Sequence, residues 1–391
     1  MLCAVPIALL GGCVDEGPDL SVTASAATVA DYAYSGCSTS VVLGLSRQIA
    51  DEIGCEHPGG LEAFDEAGGI VLTSSSVLPY LEADAKTHLE QVAASHTVQV
   101  NSAFRTLAQQ YLLYRWYVNG RCGITAAAHV GSSNHESGRA VDLANYSSVV
   151  GTMSNHGWAH DVSGDPVHFD HLASDDIRGE DVLAFQTLWN RNNPGDTISA
   201  DGAYGPQTEA RLKMAPATGF ATGATCVQHA SAAQVVAVDG PDKAPPATRA
   251  HFMITIENAT TSDWPGTATL VAPADTQLHD ASWIDGTQIA TLGQPVPAGS
   301  MGELSFDVMT PAEATDTPIF EKLVLADGAT TLGTVNLGLT VVPDMQVPQS
   351  GDGDDRYDQE VSGGCSAGGG TGFGALILVL GAVVRRRRRS P

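Results

Sequence analysis

Between Gly131 and His171 the chain reads GSSNHESGRAVDLANY, a short spacer, and then NHGWAHDVSGDPVHFDH. Counting His129 just upstream, this stretch carries six of the twelve histidines, together with Asp142, Asp161, Asp165 and Asp170. Imidazole and carboxylate are ligands that hold a divalent zinc, so a cluster of this kind is what a metal site needs. The segment Gly138 to Leu143 alternates as a strand, with Ala140 and Asp142 on one face and Val141 and Leu143 on the other. An acidic side chain in apolar surroundings needs a partner, and a cation is the usual one. His135 precedes this strand by a glycine-containing turn, within reach of the same ion. Val167 to His171 reads as a second strand, with His168 and Asp170 facing away from Val167, Phe169 and His171. His168 and His171 are therefore not expected on one metal.

Other elements must position these groups. Leu81, Ala85, Leu89 and Val92 recur at helical spacing, and Val98 and Val100 alternate as a short strand that ends at Ser102 to Arg105. A second helix is expected from Thr106 through Trp116, stopping at Asn119 and Gly120. Arg105 then sits at a strand-to-helix junction, where a guanidinium can point into a cleft and grip a carboxylate with two hydrogen bonds. From spacing alone, a solvated surface arginine is the plainer reading.

The residues Ser133, Asn134, His135, Glu136, Ser137, Gly138, Arg139, Ala140, Val141 and Asp142 match an SxHxxGxAxD pattern, and Asp165, Pro166, Val167 and His168 match a pattern most often written ExWH. In both, and in the SGYRS-like segment Ser102 to Thr106, the chain resembles the zinc D-alanyl-D-alanine carboxypeptidases and related cell-wall endopeptidases, the group that includes the vancomycin-resistance D,D-peptidases. Two motifs in the right order make the resemblance specific. It implies a zinc ion held by His135, Asp142 and His168, with a water in the fourth position. Asp165 falls where the family places its catalytic carboxylate, one methylene shorter than the commoner glutamate. Arg105 matches the arginine that holds the substrate's terminal carboxylate, and Ser133 the serine that helps it. His160, between the motifs, is a candidate to stabilise the oxyanion or to hydrogen-bond a ligand. For His129, His156, His160 and His171 the ordinary alternative is a loop or packing role.

Composition bounds the rest. At 391 residues, 43% hydrophobic and 16% charged, the chain is globular and long enough for two to four domains. A net charge of -25 repels phosphate backbones, so nucleic acid is not an expected partner. Both ends read as targeting signals. Leu10, Gly11 and Gly12 before Cys13 resemble a bacterial lipoprotein cleavage box. Phe373 to Val384 is apolar, short of the roughly 20 residues a membrane helix needs, and precedes the five arginines Arg385 to Arg389. With Cys365 upstream, this tail is similar to MYXO-CTERM sorting signals. Either end would tether the protein to an envelope membrane, outside the cytoplasm. Cys37, Cys55, Cys122 and Cys226 then make an even number in an oxidising compartment. Of three possible pairings, proximity favours Cys37 with Cys55 and Cys122 with Cys226.

The expected fold is multidomain, along these borders: a lipoprotein-type signal at 1–13, a linker at 14–35, and an α+β zinc-peptidase domain with a small antiparallel sheet and flanking helices at 36–178. A helical module at 179–228 follows, where Val182, Phe185, Leu188 and Trp189 and the turn Asp201 to Thr208 resemble a peptidoglycan-binding module. Short alternating runs separated by Gly, Pro, Asp and Thr indicate an immunoglobulin-like β-sandwich at 232–343. An acidic linker at 344–364 and an anchoring tail at 365–391 complete the chain. The activity these features imply is zinc-dependent hydrolysis of peptidoglycan stem peptides by a monomer, most simply release of terminal D-alanine. An endopeptidase of the same fold, cutting L-Ala to D-Glu or a cross-bridge, and a non-catalytic zinc-containing wall-binding protein are the alternatives.

Overall fold

The computed structural model describes residues 27–64, 66, 68–226, 233–315 and 318–343, and these belong to one compact unit. The signal expected at 1–13, most of the linker at 14–35, the acidic linker and the tail lie outside the described residues. Where the linker becomes described it is packed: Val29 and Ala33 are buried, and Val29 N donates to the Ala215 carbonyl at 3.0 Å.

The first part runs α1 (Leu43–Glu56), β1 (Glu62–Ala63), β2 (Ile70–Leu72), β3 (Tyr80–Leu81), α2 (Ala83–Ala93), β4 (Val98–Ser102), α3 (Leu107–Val118), β5 (Ala140–Leu143), α4 (Tyr146–Asn155) and β6 (His168–Asp170). The helical spacing at Ala85, Leu89 and Val92 produces α2, with all three side chains buried. Leu81 is buried too but belongs to β3, because Glu82 caps the helix by accepting from Asp84 N and Ala85 N. The sheet order is β2-β4-β5-β6. It was expected to be antiparallel and is mixed, since β2 pairs with β4 in parallel while β4–β5 and β5–β6 are antiparallel. The reason is the crossover: α2 separates β2 from β4, and a parallel return needs such a connection. Val98, Val100, Val141, Leu143 and Phe169 share one core with Leu89, Val92, Met153 and Trp158.

Two helices follow, α5 (Glu180–Asn192) and α6 (Pro206–Met214). Gln186 organises the turn between them: its Oε1 accepts from Asp201 N and Gly202 N at 2.9 and 3.0 Å, and its Nε2 donates to Thr208 Oγ1 at 3.0 Å. The strands β7 (Ala233–Asp239), β8 (Lys243–Ala244), β9 (Arg249–Asn258), β10 (Thr269–Val271), β11 (Gln288–Thr291), β12 (Met301–Met309), β13 (Ile319–Asp327) and β14 (Thr330–Val341) make two sheets, ordered β12-β9-β7 and β11-β10-β13-β14-β8. Period-two burial along β12 and β14 sends Leu304, Phe306, Leu337 and Leu339 inward to the core the sheets share. Trp264 is buried in that core.

The three expected domains are not three separate cores. Leu45 and Ile49 of α1, Phe185 and Leu188 of α5, and Val235 and Ile254 of the three-stranded sheet belong to one contiguous cluster. The disulfides are Cys37–Cys122 and Cys55–Cys226, which corrects the pairing that proximity suggested. Cys55 lies near the end of α1, which packs on α5, so folding brings Cys226 to it although 171 residues intervene. Glu52 and Arg191 brace the same contact, with Nη2 donating to Oε1 at 2.5 Å. Among the described residues no helix is long and apolar enough to cross a membrane.

Candidate metal centre

His135 is delivered by a single 3-10 turn, Asn134–Ser137. Ser133 and Glu136 hold its start: Ser133 Oγ accepts from His135 N at 3.3 Å, and Glu136 Oε2 accepts from Ser133 N at 2.9 Å. Glu136 also takes Gly131 N at 2.9 Å, so one buried carboxylate fixes the loop that carries the histidine. The turn closes at Gly138 with φ +74°, where a Cβ would lie 2.8 Å from the Ile177 side chain. Only glycine lets the chain swing straight into β5 there.

Strand register places the other groups. On β5, Asp142 stands opposite Ser102 of β4 and opposite His168 of β6. Cross-strand neighbours are about 5 Å apart at Cβ, so three consecutive strands set Ser102, Asp142 and His168 side by side.

The result is a convergence on one oxygen. Asp142 Oδ1 lies 3.2 Å from His135 Nε2 and 3.0 Å from His168 Nδ1. One ligand atom from each of the three residues lies within 4.8 Å of the others, and both histidines are only 5% exposed. His135 Nδ1 donates to the Ala103 carbonyl at 2.8 Å, which leaves the lone pair of a neutral ring on Nε2, aimed at the carboxylate. Two lone pairs face each other there unless a cation, a proton or a metal ion, lies between them. His168 Nε2 lies 3.2 Å from Asp170 Oδ1 but is buried without an aligned hydrogen bond. Asn134 Nδ2 steadies Asp170 by donating to Oδ2 at 2.9 Å.

Burial alone would raise the Asp142 carboxyl, yet His135 and His168 hold it well below the usual carboxylate range. Burial would lower His168, but Asp142 and Asp170 push it up to about 9. Groups arranged to hold a proton this firmly are ligands that a divalent cation can take over when the proton leaves. Two imidazoles and a carboxylate, one ring oriented by a backbone carbonyl, form a donor set that can hold a metal ion.

The triad opens into a cleft of about 570 Å³ that Arg105, Ser133 and Asp165 also line. Arg105 is no solvated surface residue. Its Nη1 donates to Gln110 Oε1 at 3.1 Å and its Nη2 to Ser102 Oγ at 3.0 Å. Burial lowers its pKa from the ordinary value, against the opposing charges of Asp142, Glu136 and Asp165. Asp165 is exposed on the turn before β6, its carbonyl accepting from His168 N at 3.4 Å.

His160 does not line the cleft. Its Nε2 donates to the Pro166 carbonyl at 2.7 Å and its ring stacks on Phe169 with centroids 4.6 Å apart, so it braces the Asp165 to His168 turn from outside. His171 lies apart from the triad, 2.6 Å from His88 Nδ1 through its Nε2 and 2.8 Å from Ser174 Oγ through its Nδ1. His129 meets Tyr114 and His156 meets Gln91. The sequence reading placed Asp170 on the His168 face without giving it a role, and its two-residue offset along β6 was the available signal. Glu136 follows Ser133 at the S-x-x-E spacing of a capping box, which was a readable signal. Ser102 and Gln110 lie three and five residues from Arg105, but their types alone did not mark them as its partners.

No protein-family model matches the sequence, and no curated protein matches it. Among solved structures, a CARDB domain from Pyrococcus furiosus aligns at 13% identity over 28% of this chain and 96% of its own, with a TM-score of 0.20. The alkylpurine DNA glycosylase AlkC of Pseudomonas fluorescens aligns at 9% identity over 60% of each chain, with a TM-score of 0.19. An exo-β-N-acetylglucosaminidase from Vibrio harveyi aligns at 11% identity over 29% of this chain and 18% of its own, with a TM-score of 0.15. Likeness at this level carries no weight for the fold or the chemistry.

Proposed function

We propose that the protein is a zinc peptidase of the D-alanyl-D-alanine carboxypeptidase type, acting on peptidoglycan stem peptides outside the cytoplasm. The observation that carries this reading is the convergence of His135, Asp142 and His168 on one point of a cleft that Arg105 and Asp165 also line. Zinc suits two imidazoles and a carboxylate, and when bound it supplies an acidified water and Lewis acidity for an amide carbonyl. Arg105, already fixed by Ser102 and Gln110, offers the remaining face of its guanidinium to a substrate carboxylate. Asp165, at the cleft wall, takes a proton from the attacking water and returns it to the leaving amine. Ser133 and Glu136 keep the His135 turn in register, and His160 holds the turn that carries Asp165. The α5–α6 pair serves as the wall-binding module and the two facing sheets as an immunoglobulin-like sandwich. The two disulfides support an oxidising compartment.

The test is hydrolysis of purified muropeptides with and without a chelator, comparing the parent with His168→Ala and Asp165→Ala. Chelator-sensitive release of D-alanine, lost in both variants while Asp165→Ala keeps its metal, is the expected result. Stoichiometric metal binding with no substrate cut would overturn the enzyme reading and leave a metal-holding surface module.

A further inference from the structure

One wall of the metal cleft has no regular structure. After α3 the chain runs from Asn119 to Ser132 as a loop, from which Ile124, Ala126, Ala127 and Ala128 line the cleft. Side chains hold its far end: Gln110 Nε2 donates to the Ala128 carbonyl at 2.7 Å, and Glu136 Oε1 accepts from Gly131 N at 2.9 Å. Thr125, Ala126 and Ala127 make no hydrogen bond among the described residues. The near end has two turn bonds, from Arg121 N to the Trp116 carbonyl at 2.8 Å and from Ile124 N to the Arg121 carbonyl at 3.3 Å. Its remaining tie is the disulfide from Cys122 to Cys37.

Backbone geometry shows what that covalent tie does. Gly120, Cys122 and Gly123 all lie at left-handed φ, at +61°, +59° and +64°. Glycine adopts this conformation freely, whereas a Cβ crowds the following carbonyl oxygen and disfavours it. Cys122 is one of two non-glycine residues at positive φ among the described residues, so the turn carries a residue that local preference alone would not keep there. Its partner is firmly placed. Cys37 leads into the 3-10 turn Thr39–Val42, whose four residues are all buried, and Gln109 Nε2 donates to Thr39 Oγ1 at 3.3 Å. The disulfide therefore fastens a weakly held loop to the core. Both cysteines are half-buried and their neighbours Gly36 and Gly123 are exposed, which leaves a dithiol a path to the sulfurs. Cys55 and Cys226 do not line the cleft.

We propose that Cys37–Cys122 is a redox latch on the metal cleft. Closed, it holds the Ile124 to Ala128 wall in place; opened, it lets Cys122 leave the left-handed region and the wall swing out. The latch goes beyond the peptidase reading, and only what the wall would grip rests on that reading. Opening is exchange with a dithiol: one of its thiolates attacks a sulfur of the pair and its second resolves the mixed disulfide. Two electrons and two protons pass to Cys37 and Cys122 as the dithiol becomes a disulfide. Closing is the reverse, with an external disulfide as the oxidant. A chain in a reducing compartment thus has an unfinished cleft until it reaches an oxidising one.

The test uses the zinc-loaded full chain and two readouts, trypsin cleavage after Arg121 mapped by mass spectrometry and the rate at which a chelator strips the zinc. In Cys37→Ser/Cys122→Ser both should rise about tenfold, the shift expected from relieving one left-handed residue when cleavage follows the open population. Cys55→Ser/Cys226→Ser keeps the latch and should stay close to the parent. Should the first pair misfold, titrating the parent with dithiothreitol and identifying the reduced cysteines by mass spectrometry makes the same comparison without a substitution. Unchanged cleavage or unchanged zinc loss once Cys37–Cys122 is open overturns the proposal, as does a parent that holds no zinc. Muropeptide hydrolysis is followed alongside. If no form cuts, yet both readouts move, the latch stands and the peptidase reading falls.

Discussion

Replacing Asp170 by asparagine removes a charge 3.2 Å from His168 Nε2 while changing almost nothing in shape. The contact to Asn134, now 2.9 Å, survives because the new amide oxygen can still accept it. Asp142, 3.0 Å from His168 Nδ1, is untouched. What is lost is the carboxylate charge facing His168 Nε2, which would strengthen this imidazole as a ligand when a metal ion binds. Substitutions of this sort lower metal affinity about 10- to 100-fold, equivalent to about 1.4 to 2.7 kcal/mol. Zinc titration against a chromophoric chelator at neutral pH measures this directly, with circular dichroism to confirm the fold. Asp176→Asn is the control, because it breaks only an ion-pair cluster with Arg139 and Arg178 away from the triad. An affinity for Asp170→Asn within about twofold of the parent, well short of the expected range, would refute the idea that Asp170 tunes this ligand.

Three further outcomes follow from the packing. Serine pairs replacing Cys37–Cys122 or Cys55–Cys226 release loops of 85 and 171 residues, for which the chain-entropy argument gives a loss of about 5 kcal/mol each as an upper figure, read by urea unfolding under oxidising conditions. Asp181 is fully buried, with one oxygen accepting from Leu107 N and the other unpartnered, and burial raises its pKa well above the ordinary value. Because the folded state keeps this proton longer than the unfolded chain, its contribution is full below the unfolded pKa and is lost as pH rises through the folded one. Asp181→Asn should therefore match the parent in acid and exceed it in stability at alkaline pH, and thermal melts across pH would show no such crossover if the carboxyl ionised freely. Gly338→Ala drives a methyl group to 2.6 Å from the Thr73 carbonyl, and overpacking of this kind costs about 1–3 kcal/mol, measured by denaturation.

Much of the candidate site was legible in the sequence because its geometry is local. Asp142 and His168 reach the same face through strand alternation, and His135 is one short turn away from β5. The same periodicity marked most strands of the two C-terminal sheets and the buried face of α2. Alternation also separated His171 from His168, and in the fold His171 lies with His88 instead.

Other features depend on which segments meet, and sequence distance is a poor guide to that. Proximity favoured pairing Cys37 with Cys55, but α1 and α5 pack together and carry Cys55 to Cys226. Spacing alone left Arg105 a plain surface residue and the resemblance gave it a substrate carboxylate, and in the fold its guanidinium is held between Ser102 and Gln110. His160 looked suited to chemistry by position and instead faces the Pro166 carbonyl. Residue types and short spacings therefore marked the stretch that holds the candidate triad, and strand alternation, fixed by backbone geometry, put Asp142 and His168 on facing positions. The hydrogen-bond partners around the triad and the disulfide pairing were decided only by tertiary packing, which joins surfaces that no local rule connects.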